Sequence, residues 1–332
     1  MSPFRGVPAL RRLTARPFGI RSLLNSPAPH SQTIATASTR QSDRPRVAIV
    51  TGAARGIGRA IAVRLAQDGY HITASDLPTQ QAQLNSLVAE LTATSNNSNS
   101  SSGHKIQAHA HAADVSSPEQ VAALVRASAA ALGPLDTMVA NAGIAQVKPL
   151  LELTPGDFSR MLDVNVAGVH HCFQAAARQM IAQQQDVGMQ VGKEGREEGR
   201  EGEEIRGRLI AAASIVAFKP LALLGHYSAS KWAVRGLSQA YAMELAAHKI
   251  TANAYAPGIV DTDMWELIDE GLGSRAGRAK GETIKRYSEE LIALGRTSVP
   301  RDVAGLVSFL ASRDADYVTG QTFVVDGGII YT

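Results

Sequence analysis

Short apolar runs alternate along the chain with longer stretches of helical spacing. The runs fall at Arg46–Thr51, Tyr70–Asp76, Ile106–Ala112, Leu135–Ala140, Arg208–Ser214 and Ile250–Tyr255, with a last one inside Asp316–Gly328. Their length and their Val, Ile and small-residue content predict buried strands rather than helices. Between them, apolar residues recur at helical spacing: Ile61, Ala62 and Leu65 after Gly58, then over Gln80–Thr92, Pro118–Leu132, Thr154–Gln183, Tyr227–Ala247 and Arg301–Ser312. Parallel strands need a crossover, and a helix supplies it. The pattern therefore predicts an α/β fold: a single Rossmann-type doubly wound parallel sheet of about seven strands with helices on both faces.

Some stretches stand outside this alternation. Residues 1–42 hold six arginines and no acid, a composition that predicts a mitochondrial import leader or a disordered extension. Location is thus mitochondrial or cytoplasmic, and the folded domain is expected over 43–332. The polar run at 94–104 and the glycine- and charge-rich run at 187–207 read as exposed inserts, because neither can bury apolar surface. A connection of roughly 40 residues before Pro300 reads as a lid that closes over substrate.

Composition adds limits. Hydrophobic residues make up 45% of the 332, enough for a large core, and no uninterrupted apolar stretch reaches the length of a membrane span. Removing the six leader arginines from the 33 basic residues leaves 27 against 30 acidic ones, so the basic total gives no reason to expect nucleic acid. The single cysteine, Cys172, excludes an internal disulfide and is expected as a buried inert thiol. No His, Cys and Asp cluster has metal-ligand spacing, and no metal is expected.

The chemistry gathers at strand ends. The first strand runs into Thr51-Gly-Ala-Ala-Arg-Gly-Ile-Gly58 and then a helix. Glycines at 52, 56 and 58 allow a tight turn and close approach to a pyrophosphate, which the helix N-terminus favours. Arg55 and Ile57 belong to the same turn. Asp76 ends the second strand, at the distance expected of an acid that binds a ribose 2′-hydroxyl and repels a 2′-phosphate. NAD is therefore preferred, with NADP possible because of Arg55. Ser214 ends the fifth run. Tyr227 and Lys231 lie four apart, on one helical face. An ammonium so placed is expected to pull the phenol pKa down, leaving a group able to exchange a proton with a carbonyl oxygen. Apolar residues between Ile215 and Gly225, Phe218 among them, are expected to line a substrate pocket together with Trp265. His226 reads as a pocket-rim or surface residue.

Together with Asn141-Ala-Gly143, Asn165 and Pro257-Gly258, these motifs resemble the short-chain dehydrogenase/reductase family over about residues 45–328. The resemblance implies a ketone–alcohol oxidoreductase with Asn165, Ser214, Tyr227 and Lys231 as the catalytic set. It also implies that Asp114 and Val115, Asn141, Ala142 and Gly143, Tyr227 and Lys231 (the lysine on the nicotinamide ribose), Pro257 and Gly258, and Val260 and Thr262 bind the cofactor, and that the subunits form a homodimer or homotetramer. Pro257-Gly-Ile-Val-Asp-Thr-Asp-Met-Trp265 and the C-terminal run are similar to acetoin (diacetyl) reductases and 2,3-butanediol dehydrogenases. Reductases of 3-oxoacyl or secondary-metabolite ketones are the alternative, and a non-catalytic dinucleotide-binding scaffold is a second one.

Overall fold

The computed structural model describes residues 44–97, 105–190 and 205–332. Seven strands form one parallel sheet: β1 (Arg46–Thr51), β2 (Tyr70–Asp76), β3 (Ala108–Ala112), β4 (Leu135–Ala140), β5 (Gly207–Ala212), β6 (Ile250–Pro257) and β7 (Thr322–Val325). Their spatial order is β3-β2-β1-β4-β5-β6-β7. The chain winds outward from β1 to β3, then returns to the other side of β1 with β4. This reversal opens a crevice at the carboxyl ends of β1 and β4, where α/β sheets bind ligands.

Alternation along β1 shows why both faces need helices. Val47 and Ile49 enter one core cluster, Ala48 and Val50 the other, and all four are fully buried. On the first face lie α3 (Pro118–Leu132), α5 (Gly168–Gln190) and α6 (Gly225–Leu245), through residues such as Leu124, Phe173 and Val234. On the second lie α1 (Gly56–Gln67), α2 (Gln81–Asn97) and α9 (Pro300–Ala311), through Ile61, Leu87 and Val307. Each fully buried side chain of this size contributes about 1.5–3 kcal/mol. Beyond the carboxyl edge, α4 (Pro155–Leu162), α7 (Asp263–Arg275) and α8 (Glu282–Leu291) complete the fold.

Several boundaries differ from expectation. The long helix predicted over 154–183 is broken: Asp163–Ala167 forms a π turn between α4 and α5, with Asn165 inside it. Helices α2 and α5 continue into the expected inserts, because each added residue of a nucleated helix gains a hydrogen bond. The rest of both inserts, 98–104 and 191–204, and the extension 1–43 lie outside the described residues. Gly207, placed in the second insert by its sequence, opens β5 instead; a Cβ there would strike Met180 Sδ. Among the described residues, no helix is long and apolar enough to cross a membrane.

Candidate active site

The glycine turn after β1 is shaped by positive φ at Gly52 (66°) and Gly56 (54°). Gly58 has a different reason to lack a side chain: a Cβ would overlap the Gly52 carbonyl oxygen and lie 2.5 Å from Asn141 Nδ2. Asn141 ties three strand ends together. Its amide donates to Thr51 O (2.9 Å) and its oxygen accepts from Tyr255 Oη (2.8 Å). No side chain caps the first turn of α1, so its free N–H groups face the crevice with the positive end of the helix dipole. The Asp76 carboxylate accepts from Ala54 N (3.0 Å) and Leu77 N (2.8 Å), which locks it beside this turn. Arg55 pairs with Asp263 at 2.5 Å, both side chains two-thirds exposed. Asp114 accepts from Ser116 N and Oγ, and Val115 packs where a Cβ on Gly168 would collide with it.

These groups line a cavity of about 750 Å³ that runs from Asp76 and Asp114 past Ala142 and Gly143 to Ser214, Tyr227 and Lys231. Ile57, Pro257, Gly258, Val260, Thr262 and Trp265 also line it. An extended cleft with a glycine cradle, an uncapped helix N-terminus and an acid at the end of β2 fits a nicotinamide dinucleotide.

At the inner end, three elements converge. Ser214 follows β5 and caps a short 3-10 turn, with its Oγ accepting from Val216 N (3.4 Å). Tyr227 and Lys231 project from the start of α6, both buried. Lys231 Nζ donates to Ala212 O (2.8 Å) and stands 5.6 Å from the Tyr227 ring centroid. Asn165 is fully buried and lies behind the cavity wall. Its Oδ1 accepts from Ile144 N (2.8 Å) and its Nδ2 donates to Ile144 O (2.9 Å) and Ser230 Oγ (3.1 Å). A Cβ on Gly143 would sit 3.2 Å from Asn165 Oδ1 and 3.5 Å from Lys231 Nζ, so both groups crowd the same glycine.

The electrostatics correct one expectation. Burial pushes the Tyr227 phenol up to about 12, with a hydrogen bond involving Ser214 acting the other way. Burial also pulls Lys231 down to about 8. Burial is the largest cause of both shifts, so the phenol stands above its ordinary value instead of below it. A pH dependence follows. Between the folded value near 8 and the model-peptide 10.5, the unfolded chain holds one more proton at Lys231, so stability rises with pH. Above pH 10 the raised Tyr227 reverses the sign. Lys231→Met is expected to flatten the rise between pH 8 and 10, worth about 2 kcal/mol, in urea unfolding at the two pH values.

The substrate end is walled by Val216, Leu221 and Leu224, by Trp265 and Ile268 of α7, and by Tyr287 and Leu291 of α8. The charged lining residues Arg160, Asp163 and Lys219 are exposed. Phe218 does not line the cavity: its ring stacks under the Arg235 guanidinium at 4.2 Å and packs on the core. His226 is fully buried, not at a rim or surface. Cys172 is buried, as expected, and burial raises its thiol to about 12. Ile144, Ala145, Tyr287, Leu291, Ile329 and Ile330 line the cavity without any motif that marks them. Only their apolar character could have suggested a buried role.

A family profile described as enoyl-(acyl carrier protein) reductase matches residues 52–330. The chain is 44% identical over 286 residues to an L-2,3-butanediol dehydrogenase of Corynebacterium glutamicum, covering 86% of this chain and 99% of that protein. It is 39% identical over 287 residues to a diacetyl reductase [(S)-acetoin forming] of Staphylococcus epidermidis, covering 86% and 99%. A blue fluorescent protein from a metagenomic library, crystallised with NADPH, superposes with a TM-score of 0.69 at 33% identity, covering 88% of this chain and all of that one. The chain belongs to the short-chain dehydrogenase/reductase family, NAD(P)-dependent oxidoreductases that interconvert ketones and alcohols.

Proposed function

We propose that this protein interconverts a small uncharged ketone and its secondary alcohol, of the diacetyl, acetoin and 2,3-butanediol type, with NAD(H) as the preferred carrier. The observation that carries this reading is the meeting of Ser214, Tyr227 and Lys231 at the inner end of the dinucleotide cleft, against apolar walls. The named activities of the two relatives support the substrate class.

A bound nicotinamide dinucleotide supplies the hydride donor or acceptor. The chain's own groups handle the substrate oxygen. In reduction, the Tyr227 hydroxyl passes its proton to the carbonyl oxygen as negative charge develops there, and Ser214 Oγ–H donates a second hydrogen bond to the same atom. The raised phenol pKa keeps Tyr227 protonated and ready to donate. Lys231, anchored on Ala212 O, stands behind the phenol and offsets its charge once the proton has left. Asn165 holds the Gly143–Ile144 segment in place. The π turn carries Asn165 to the side of Gly143 that Lys231 also crowds, which supports a role for Asn165 in returning a proton to Lys231. Apolar side chains of α7 and α8 lower the local polarity on that side and strengthen each of these interactions.

The test is a panel of diacetyl, acetoin and an acetoacetyl thioester with NADH or NADPH, and of 2,3-butanediol with NAD⁺ or NADP⁺, all followed by cofactor absorbance. Turnover of the C4 ketones but not the thioester is expected; the reverse pattern overturns the substrate class and favours the acyl reading that the family profile's description suggests.

Cofactor preference rests on Asp76, whose fixed carboxylate would face a 2′-phosphate with like charge. Asp76→Asn removes the charge and keeps one of the two acceptor oxygens that Ala54 N and Leu77 N use. The ratio of kcat/KM with NADPH to that with NADH is expected to rise about tenfold or more. An unchanged ratio would assign the preference elsewhere.

Exposed Trp232 and Met243 on α6 support a homodimer or homotetramer built on that helix, which light scattering measures. Residues 1–42 are compatible with mitochondrial import or a cytoplasmic enzyme, and a fluorescent fusion of that segment separates the two.

A further inference from the structure

The buried imidazole next to Tyr227 takes no part in the chemistry above. His226 Nε2 lies 3.0 Å from Gln146 Oε1. Gln146 Nε2 donates to Asp157 Oδ1 (2.9 Å), and Asp157 Oδ2 accepts from Lys148 Nζ (2.8 Å), Thr154 N (2.9 Å) and Thr154 Oγ1 (2.7 Å). These partners, Lys148 first, hold the Asp157 carboxyl well below the usual carboxylate range. An ionised carboxylate only accepts, so Gln146 must turn its NH₂ toward Asp157 and its oxygen toward His226. The ring nitrogen facing that oxygen must then carry the hydrogen. Nδ1 is buried and has no partner among the described residues, and burial holds the imidazole below its ordinary pKa. One state satisfies all of this: neutral, with hydrogen on Nε2 and a bare Nδ1.

A second tie runs parallel. Lys148 N donates to Leu223 O (2.8 Å), and Leu223 has a φ of 67°, a left-handed backbone that is strained for a leucine. Such strain persists only where neighbours over-determine it. Gly225 packs so tightly on Leu150 that a Cβ there would lie 2.9 Å from Leu150 Cγ. The segment after β4 and the turn before α6 are thus joined immediately ahead of Tyr227, and Ile144 and Ala145 of that segment face the cavity.

We propose that His226, Gln146 and Asp157 form a hydrogen-bonded strut that positions the first turn of α6, and with it the Tyr227 phenol, against the Ile144–Ala145 wall of the substrate end. His226 is a positioning residue; it does not touch the reacting atoms. The strut rests on the reading of Tyr227 as proton donor, because that role makes the phenol's placement matter to the rate.

The discriminating variants differ in hydrogen bonding rather than size. Gln reproduces the Nε2–H donor of histidine, whereas Leu fills the space without it. With whichever ketone the wild type reduces fastest in the panel, His226→Leu and Gln146→Leu should each lower kcat about tenfold, the double variant no further, and His226→Gln should stay within about twofold. NADH affinity, read by its fluorescence, should not change. Imidazole ¹⁵N spectra at pH 7, assigned by the signal lost in His226→Gln, should show the Nε2–H tautomer. The strut is overturned if His226→Leu is at least as active as His226→Gln, if the losses add in the double variant, or if the proton sits on Nδ1. Should His226→Leu lose NADH affinity and thermal stability together, Gln146→Leu decides, since Gln146 is only partly buried; wild-type kcat there refutes the proposal. Failure of the Tyr227 reading looks different: Tyr227→Phe would keep its turnover while the tautomer signal stays as described.

Discussion

Tyr227→Phe should lower kcat by roughly 10²–10⁴-fold, the range attributed to a positioned general acid. The change deletes one oxygen and little volume, at a buried position where the ring packs with Met161, Val216 and Leu224. Packing is therefore retained. The cofactor groove is built mainly from the glycine turn, Asp76 and the β4 and β6 ends, so NADH affinity should stay within about threefold, well under the roughly 1.4 kcal/mol that a tenfold change represents. Stopped-flow hydride transfer and fluorescence titration separate the two quantities. A variant that reduces ketone at more than a tenth of the wild-type rate would remove Tyr227 from the chemistry.

Gly58→Ala should have the largest effect on cofactor binding. The added methyl would drive into the Gly52 carbonyl and the Asn141 amide, both backbone-anchored, so the turn itself must move. Overpacking of this kind costs about 1–3 kcal/mol. Because the displaced atoms shape the cradle, most of that cost should appear as weaker NADH binding, about tenfold to a hundredfold. Gly305→Ala is the control. In α9 a Cβ would meet only Arg64 Nη1 at 3.9 Å, an ordinary contact. That substitution should stabilise the protein by up to about 1 kcal/mol through helix propensity and leave cofactor affinity alone. Equal effects of the two alanines would mean that the crowding at Gly58 is not what demands glycine there.

Contrasts between neighbouring residues show what could be read in advance. The strand at Arg46–Thr51 was legible because a run of small and β-branched residues ending in glycines has few other uses. The nearby Asp76 was legible because its spacing from Gly58 follows from a strand, a turn and a helix of ordinary length. In the loop before α6, by contrast, Phe218 and Leu221 look equally suited to a pocket wall. Leu221 lines the cavity and Phe218 covers Arg235. No local period applies in an irregular loop, so which face a residue presents depends on what packs against it. His226 lies in α6, yet its burial also depends on a distant segment: its partner, Gln146, is 80 residues away in the chain. Tyr287 and Ile330 join Trp265 at the substrate end only because α8 and the C-terminal tail fold back over the sheet edge.

The acidity of the Tyr227–Lys231 pair shows the same divide in energetic form. Spacing on a helix puts the two side chains on one face, which local geometry guarantees. Whether the ammonium or the burial governs the phenol depends on how much water the rest of the molecule removes, and here burial prevails. By itself the sequence determined the alternation of strands and helices, the glycine turn and the residue types gathered at the strand ends, because these follow from backbone propensity and from periods of two and 3.6 residues. Only the tertiary structure decided the π turn at Asn165, the buried strut behind Tyr227, the walls of the substrate end and the direction of the pKa shifts. All of these are set by contacts between segments distant in the chain, and no short-range pattern encodes them.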